Sequence, residues 1–315
     1  MSGPKGVSTA WILPGIAGGF ILGVYAPWDS PVLGWLGWVA LALMVFFVVV
    51  QLPLLSIGRA LAKPRVLVAL FSLNLAVVPV IAFVFSRVVW QTPELQVGLL
   101  LVLLAPGVAL SLTTAVQAGG NIESVLAATP VLLVGQLVVV PLYAVGLSGG
   151  VLALSDLPPT FLVIGLVIVA PSVLALVVQL VATASPPVAG ATRLMRPVTT
   201  PAVALAVLLV SWDRVPSHVD ELETLLRLVP LFFAFLVLLA PLGLLAGILA
   251  SLTAAEKRAV MIVGAGRGGI MMLPISLALA PEVWGLVPLV VILQLGMEVL
   301  GMLVYRTIVP EIVPR

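Results

Sequence analysis

Long apolar runs alternate along this chain with short clusters of polar and charged residues. A helix that crosses a bilayer needs roughly 20 consecutive apolar residues, and the runs reach that length without the alternation typical of barrel strands. The pattern predicts an all-α membrane protein with about ten transmembrane helices, and we expect residues 1–315 to form a single polytopic membrane domain. The predicted spans are residues 7–26, 33–56, 65–88, 95–117, 122–147, 159–183, 197–212, 225–250, 258–280 and 284–307.

Composition supports a membrane location. Charged residues make up 8% of the chain, against roughly 25% in a soluble domain, which is too few to cover the surface in water. The expected surroundings are therefore a lipid bilayer. Because the chain has no cysteine and one histidine, His218, we exclude disulfides, thiolate metal sites and histidine clusters, and we expect no metal. The small net charge of +2 gives no indication of a nucleic-acid partner.

The basic residues between the spans indicate the orientation of the chain. With a cytoplasmic N-terminus, ten basic residues lie in cytoplasmic segments and three, Arg87, Arg214 and Arg227, lie outside. Such an excess is typical of the cytoplasmic side of membrane proteins. We therefore expect a cell (inner) membrane protein with both termini in the cytoplasm. The cytoplasmic set is Lys5, Arg59, Lys63, Arg65, Arg193, Arg196, Lys257, Arg258, Arg306 and Arg315.

Two halves of five spans predict an inverted repeat, since an odd number of spans turns the second half over. The repeats would cover about residues 7–147 and 159–307. The fourth helix of each half is interrupted, at Pro106 and Gly107 in one and between Gly264 and Gly269 in the other. Glycine and proline are common in membrane helices, but a broken helix at membrane depth is tolerated mainly where it lines a cavity or binds a solute. The paired breaks therefore predict a transporter with its site at these helices.

Two ionisable residues lie deep inside predicted spans, Arg267 and Glu298. Each is about nine residues from the cytoplasmic end of its span, roughly 13 Å deep, so adjacent antiparallel helices could pair them. One interpretation is a buried salt bridge that fixes helix packing. The other is that Arg267 binds an anionic solute while Glu298 balances the charge or carries a proton.

Other polar residues near the breaks complete the predicted site. A lipid-facing carboxamide is costly, so Asn74 and Gln294 should point inward, and Ser111 and Thr129 lie close to the first break. Most hydroxyls in membrane helices bond back to their own helix, which is the alternative for the serine and the threonines. The candidate substrate-binding set is Arg267, Ser111, Thr113, Thr114, Gly266, Gly268, Gln294 and Glu298.

The sequence gives no indication of an enzyme. It contains no H-E-x-x-H and no G-x-S-x-G motif. The stretch from Gly264 to Gly269 is not a dinucleotide fingerprint, because it lies inside a predicted span and follows no strand.

Three segments resemble the bile acid:sodium symporter family, in the superfamily that includes the arsenite-efflux permeases. One runs from residues 33–35 to 58–60 and on through Lys63-Pro64-Arg65, Leu73-Asn74-Leu75 and Val78-Pro79. The second is residues 105–111 followed by Ala118-Gly119-Gly120-Asn121. The third runs from Ala255-Glu256-Lys257-Arg258 to Leu273. The resemblance covers most of residues 30–305, and the layout matches better than the motifs.

The resemblance implies a ten-helix inverted repeat in which the broken fourth and ninth helices cross at the site. It also implies a panel of helices 1, 2, 6 and 7 and a core of helices 3–5 and 8–10. The family transports organic anions with sodium, so the resemblance implies a small anionic solute and Na⁺ as the coupling ion. From the sequence itself the coupling ion stays open between Na⁺ and H⁺, and no other cofactor is expected.

The sodium ligands of the family carry over only in part. Asn74, Ser111 and Thr129 stand where the family has a glutamine, a serine and a threonine, and form a weakened ion site. The departures are Leu112 for an asparagine, Ile262 for the key glutamate, Gly266 for a glutamine and Arg267 for an asparagine. A hard cation needs oxygen ligands, usually with some negative charge.

We therefore predict a secondary transporter of a small organic anion in which Arg267 takes the place of the bound cation, with altered or absent sodium coupling. The alternatives are a proton-coupled or uniporting efflux permease for arsenite or a neutral metabolite, and a non-transporting scaffold or receptor on the same fold. The oligomeric state stays open.

Overall fold

The computed structural model describes residues 9–52, 64–105, 107, 109–121, 139–140, 142–153 and 162–314. These residues form helices and no β-strand. The helices of the first half are α1 Ile12–Tyr25, α2 Pro31–Val49, α3 Pro64–Ser72, α4 Val78–Val88, α5 Pro93–Leu104 and α6 Ala109–Gln117. Residues 139–140 and 142–147 are also helical. Those of the second half are α7 Ala170–Ala184, α8 Pro186–Arg214, α9 Leu222–Leu225, α10 Val229–Leu249, α11 Ala254–Ala265, α12 Gly269–Leu277, α13 Pro281–Trp284 and α14 Val287–Ile312.

Among the described residues, five helical stretches are long and apolar enough to cross a membrane. They are Pro31–Val49, Pro64–Val88, Ile164–Ala184, Pro186–Leu249 and Val287–Ile312. Ile12–Tyr25 and Pro93–Leu104 are apolar but shorter. Large side chains such as Trp35, Phe233 and Leu249 are exposed on the outside of these helices, where lipid would solvate them.

A π-helical turn at Leu73–Val77 joins α3 to α4. It keeps Pro64–Val88 continuous and holds Asn74 on a buried face. The carbonyl of Leu75 in this turn accepts a hydrogen bond from the hydroxyl of Tyr143 at 3.0 Å. A second π-helical turn, Ile164–Val169, leads into α7.

The helices pack in two groups. In one, α1, α2 and α7 pack against α8, and in the other α5, α6, α10, α11 and α12 surround α14. The closest seam is between α1 and α8, where Gly15, Gly19 and Gly23 lie one turn apart on one face. A Cβ at Gly19 would be 2.5 Å from the Cβ of Ser211, so glycine is required for the two backbones to approach.

Two predicted boundaries are wrong. The seventh span was expected at residues 197–212, but α8 runs from Pro186 to Arg214, so Arg193 and Arg196 lie in a helix and not in a loop. Prolines start this helix, and it continues past two inner prolines, Pro197 and Pro201. Between them, the hydroxyl of Thr199 lies 3.2 Å from the carbonyl oxygen of Phe47 on α2.

The segment between the predicted seventh and eighth spans contains the 3-10 helix Val215–Glu221 followed by α9. The predicted tenth span, residues 284–307, corresponds to α14, which begins at Val287 and continues to Ile312; the short α13 precedes it. Of the predicted fifth span, only residues 139–140 and 142–147 are described.

Candidate functional site

Two helices are interrupted near the centre of the protein. α5 ends at Leu104, Ala105 is extended, and helix resumes at Ala109 as α6. α11 ends at Ala265, Gly266 is extended, and α12 begins at Gly269. The second break lies later than predicted, because Gly264 is still helical. Pro106 lies outside the described residues.

The two breaks pair with each other. The N–H of Gly107 donates to the carbonyl of Gly266 at 3.1 Å, and the N–H of Gly268 donates to the carbonyl of Ala105 at 2.7 Å. Each break thus supplies partners for backbone groups that the other has released from helical bonding. Such partners are necessary for non-helical backbone that is buried away from water. We call Ala105, Gly107 and residues 266–268, held in this way, the helix crossing.

Glycine is required on both sides of the crossing. A Cβ at Gly107 would collide with the backbone of Arg267, and a Cβ at Gly266 would lie 2.6 Å from the Cβ of Ser111. Gly264 allows the side chain of Leu73 to approach in the same way. The glycines therefore set the distance between the two chains, in addition to releasing them from helical geometry.

Arg267 stands at the middle of the crossing and is only 2% exposed. Its Nη1 donates to the carbonyl of Leu103 at 3.0 Å, and its Nη2 donates to Oδ1 of Asn74 at 3.0 Å and to the carbonyl of Gly264. The ring of Phe235 lies 5.3 Å from the guanidinium carbon. Three neutral oxygens and an aromatic face therefore solvate this charge in place of water.

The oxygens around the guanidinium come from three separate elements. Leu103 lies in the last turn of α5, Gly264 in the last turn of α11, and Asn74 in the π-helical turn. The side chain of Asn74 is itself held, because its Nδ2 donates to the carbonyl of Leu70 at 2.8 Å. Helix ends expose carbonyls that have no partner in their own helix, which explains why two of the three acceptors are found there.

Glu298 of α14 is 1% exposed and bonds to the backbone of Arg267. Its Oε1 accepts from the N–H of Arg267 at 3.1 Å, and its Oε2 accepts from Nε2 of Gln294 at 3.3 Å. The two charged residues therefore meet, but among the described residues the guanidinium forms no salt bridge with the carboxylate. This corrects the predicted interpretation of a paired buried salt bridge.

Two polar atoms at the crossing have no hydrogen-bond partner among the described residues, Nε of Arg267 and Oε1 of Gln294. The carboxamide of Gln294 lies against Gly269, where a Cβ would be 2.7 Å from Oε1. A buried polar atom without a partner costs on the order of 1–3 kcal/mol. The crossing is therefore not fully satisfied in this conformation.

Two of the hydroxyls predicted to face a solute bond to backbone carbonyls. Ser111 donates to the carbonyl of Gly107 at 2.7 Å, and Thr114 donates to that of Leu110 at 3.0 Å. Thr113 is exposed, and Thr129 lies outside the described residues. The alternative, a bond back to the residue's own helix, therefore applies to Thr114. Ser111 binds a carbonyl that the first break exposes.

A second arginine is buried at one end of the molecule. Arg258 was predicted to be a loop charge, but it is 5% exposed. Its Nε donates to the carbonyl of Val313 at 2.8 Å, and its Nη1 donates to that of Ala118 at 3.3 Å. It thereby ties the chain after α6 to the chain after α14. The sequence placed Arg258 next to Lys257 in a polar stretch, which gave no sign of burial.

Sequence reasoning also missed the groups that solvate Arg267. Leu103 and Gly264 contribute only carbonyls, and Phe235 resembles any other apolar residue of its span. A usable signal was the position of Leu103, one turn before a predicted break. Within the part of the chain that the structure describes, no cluster of three or more His, Cys, Asp or Glu residues could hold a metal ion.

The sequence also matches a known protein family. Residues 38–210, more than half of the chain, match the Sodium Bile acid symporter family. No curated protein matches the sequence. The matched region includes Asn74 and the first break, and it ends before α11. Apolar helices of membrane-spanning length agree with such a protein crossing the bilayer several times. The chain is a multi-pass membrane protein that belongs to the sodium bile acid symporter family.

Proposed function

We propose that this protein is a secondary transporter of a small organic anion in which the guanidinium of Arg267 replaces a coupling sodium ion. The observation that carries the proposal is the set of three oxygens around that guanidinium, from Leu103, Gly264 and Asn74. Carbonyl and carboxamide oxygens are also ligands of hard cations. A sodium ion in the same place would meet a fixed positive charge, so we expect transport that does not require sodium.

The crossing would attract an anion through its charge. α6 and α12 both begin there, and the N-terminus of a helix carries a partial positive charge. Arg267 adds a full charge, although its guanidinium faces protein oxygens in this conformation. Half-helix N-termini that meet at membrane depth are the sites that many secondary transporters use for anionic substrates.

The proposal includes the topology predicted from the sequence. We propose ten spans in two inverted repeats, with both termini in the cytoplasm of a cell whose inner membrane holds the protein. The two packing groups, α1, α2, α7 and α8 against the helices around α14, support a panel and a core that move relative to each other. Such a motion would open the crossing, which the described conformation keeps closed.

The test is uptake by proteoliposomes of a panel of radiolabelled probes: taurocholate, a short carboxylate, a sulfonate and arsenite. We expect uptake of at least one organic anion to change less than about twofold when N-methylglucamine replaces sodium. Strict dependence on a sodium gradient would contradict the substitution by Arg267. Uptake of arsenite alone would favour the efflux permease.

Asn74→Asp provides a matched second arm of this test. A carboxylate at this position would lie against the guanidinium and neutralise it while keeping the hydrogen bond to Nη2. The variant loses the hydrogen bond from Nδ2 to the carbonyl of Leu70 and gains a charge-assisted bond to the guanidinium, so we expect it to fold. Anion uptake should fall about tenfold. Unchanged uptake would show that the charge of Arg267 does not act on the solute.

A non-transporting receptor on the same fold is the second candidate. The burial of Arg267 behind protein oxygens favours it, because a solvated, closed crossing also stabilises a fold that never opens. Saturable binding of a probe in detergent, with no uptake in proteoliposomes, would support this candidate over the transporter.

A further inference from the structure

Glu298 has a place in the crossing that a structural role alone does not explain. Its carboxylate and the guanidinium of Arg267 are both almost fully buried, yet each is solvated by neutral groups and not by the other. A carboxylate that is hydrogen-bonded only to neutral groups can take up a proton without breaking an ion pair between side chains. Arginine keeps its proton in proteins, so the carboxylate is the member of the two that can titrate.

We propose that Glu298 is a proton-binding site and that the proton is the coupling ion of transport, an inference that rests on the anion transport proposed above. With Glu298 ionised, the crossing is neutral overall, because its negative charge balances that of Arg267. Addition of a proton leaves a net charge of +1, which an anion can then neutralise. Proton and anion therefore bind together, cross in the same direction, and leave together, so the cycle moves no net charge.

Gln294 allows the carboxyl group to be satisfied in both states. Its Nε2 now donates to Oε2 of Glu298, and its Oε1 is buried without a partner among the described residues. Rotation of the carboxamide by half a turn would present that oxygen to the O–H of a protonated Glu298. Gly269 provides the room, since any side chain there would contact the amide oxygen.

The surroundings contain few other charges that could take this role. Arg267 is the charged residue that faces Glu298, and α1, α6, α10 and α12 contain no Asp, Glu, Lys or Arg. Glu94 of α5 lies at the far end of α14, where it accepts the N–H of Leu286. On α11, Lys257 and Arg258 lie more than two turns before the crossing. On α8, Arg193 and Arg196 are exposed, and Asp213 and Arg214 lie at the C-terminal end; Glu223 of α9 is also exposed. Tyr305 donates its hydroxyl to the carbonyl of Leu236.

A pair of measurements on the purified protein tests the proton site without any substrate. The infrared difference spectrum between mildly acidic and alkaline buffer, a range in which exposed carboxylates stay ionised, should show the carbonyl stretch of a protonated carboxylic acid in the wild type. The band should disappear in Glu298→Gln and persist in Glu311→Gln, whose carboxylate is exposed on the same helix. A wild type without a titrating band, or a band that survives Glu298→Gln, would overturn the proposal.

Proteoliposomes test the coupling. An acidic exterior should increase wild-type uptake of the transported anion about tenfold over equal pH, and a potassium diffusion potential should not change it. In Glu298→Gln the ratio between the two pH conditions should fall to about one, while Glu311→Gln should keep it. Wild-type uptake that ignores the pH gradient would refute proton coupling even if the variant fails to fold. Failure of every anion to be taken up, with the infrared band present, would instead refute the proposed anion transport.

Discussion

The two broken helices of the crossing use the same backbone geometry and carry different chemistry. In each break one residue after the helix end is extended, Ala105 in the first and Gly266 in the second. The two breaks exchange two hydrogen bonds, and each is followed by a nine-residue helix. The first break contributes backbone groups and the hydroxyl of Ser111, and it contains no charged residue. The second carries Arg267 and faces Glu298.

The region that matches the family ends between the two breaks. Residues 38–210 match the family and include the first break and Asn74, whereas the second break and α14 lie beyond the matched region. The acceptor oxygens from Asn74 and Leu103 thus belong to the part that matches. The guanidinium of Arg267, which donates hydrogen bonds to these oxygens, comes from the other part. The matched part therefore supplies two of the three acceptor oxygens, and the other part supplies the third, from Gly264, together with the charge.

The largest expected effect removes that charge. Arg267→Gln should leave Glu298 as a buried, uncompensated carboxylate and cost about 3–5 kcal/mol in the free energy of unfolding. Uptake of every anion of the panel should be lost. The free energy can be measured by denaturant titration in lipid-detergent micelles.

Arg306→Gln is the control for this substitution, because Arg306 is an exposed arginine on α14. It should change neither stability nor uptake measurably. A stable Arg267→Gln protein with wild-type uptake would show that the charge difference between the two breaks has no function.

A smaller effect is expected when the backbone contact between the breaks is blocked. Gly107→Ala places a Cβ against the backbone of Arg267, which cannot move aside as a side chain would, and should cost about 3 kcal/mol. Gly264→Ala should cost less, because its Cβ would meet only the flexible end of Leu73. Denaturant titration of both variants should give this order.

Gly190→Ala provides the baseline for the two glycine variants, since no atom lies within 4 Å of the added Cβ. It should be neutral or slightly stabilising in α8. If Gly107→Ala behaves like Gly190→Ala, the close approach at the crossing does not occur in the membrane.

The smallest effect concerns the hydroxyl of the first break. Ser111→Ala removes the hydrogen bond to the carbonyl of Gly107 and should cost about 1 kcal/mol of stability. Anion uptake should stay within about threefold of the wild type. A complete loss of uptake would instead indicate that Ser111 binds the solute or an ion directly.

Particular residues show what the sequence could predict. The interruptions could be predicted because proline and glycine have known backbone preferences. The burial of Arg267 and Glu298 could be predicted because both lie far from any span end. Their contact could not be predicted correctly. Periodicity assumes helical backbone, and the extended Gly266 turns the N–H of Arg267 toward Glu298 while its side chain leaves in another direction.

The start of α8 and the burial of Arg258 were also predicted wrongly from the sequence. The helix α8 begins at two prolines that the sequence marks as a break, because proline is also favourable in the first turn of a helix. Arg258 was assigned to the surface by its charged neighbours, although its partners, the carbonyls of Ala118 and Val313, are distant in sequence. Long-range acceptors of this kind leave no local pattern.

The π-helical turn at Leu73–Val77 affects how the third predicted span aligns with homologous sequences. A π turn accommodates one residue more than an α turn, which shifts the phase of everything after it by about 100°. The lipid-facing and buried stripes of α3 and α4 therefore do not lie on one continuous helical wheel. Homologous sequences without the extra residue would align across this span only with a gap near Asn74, and loss of that residue would turn the carboxamide away from the guanidinium.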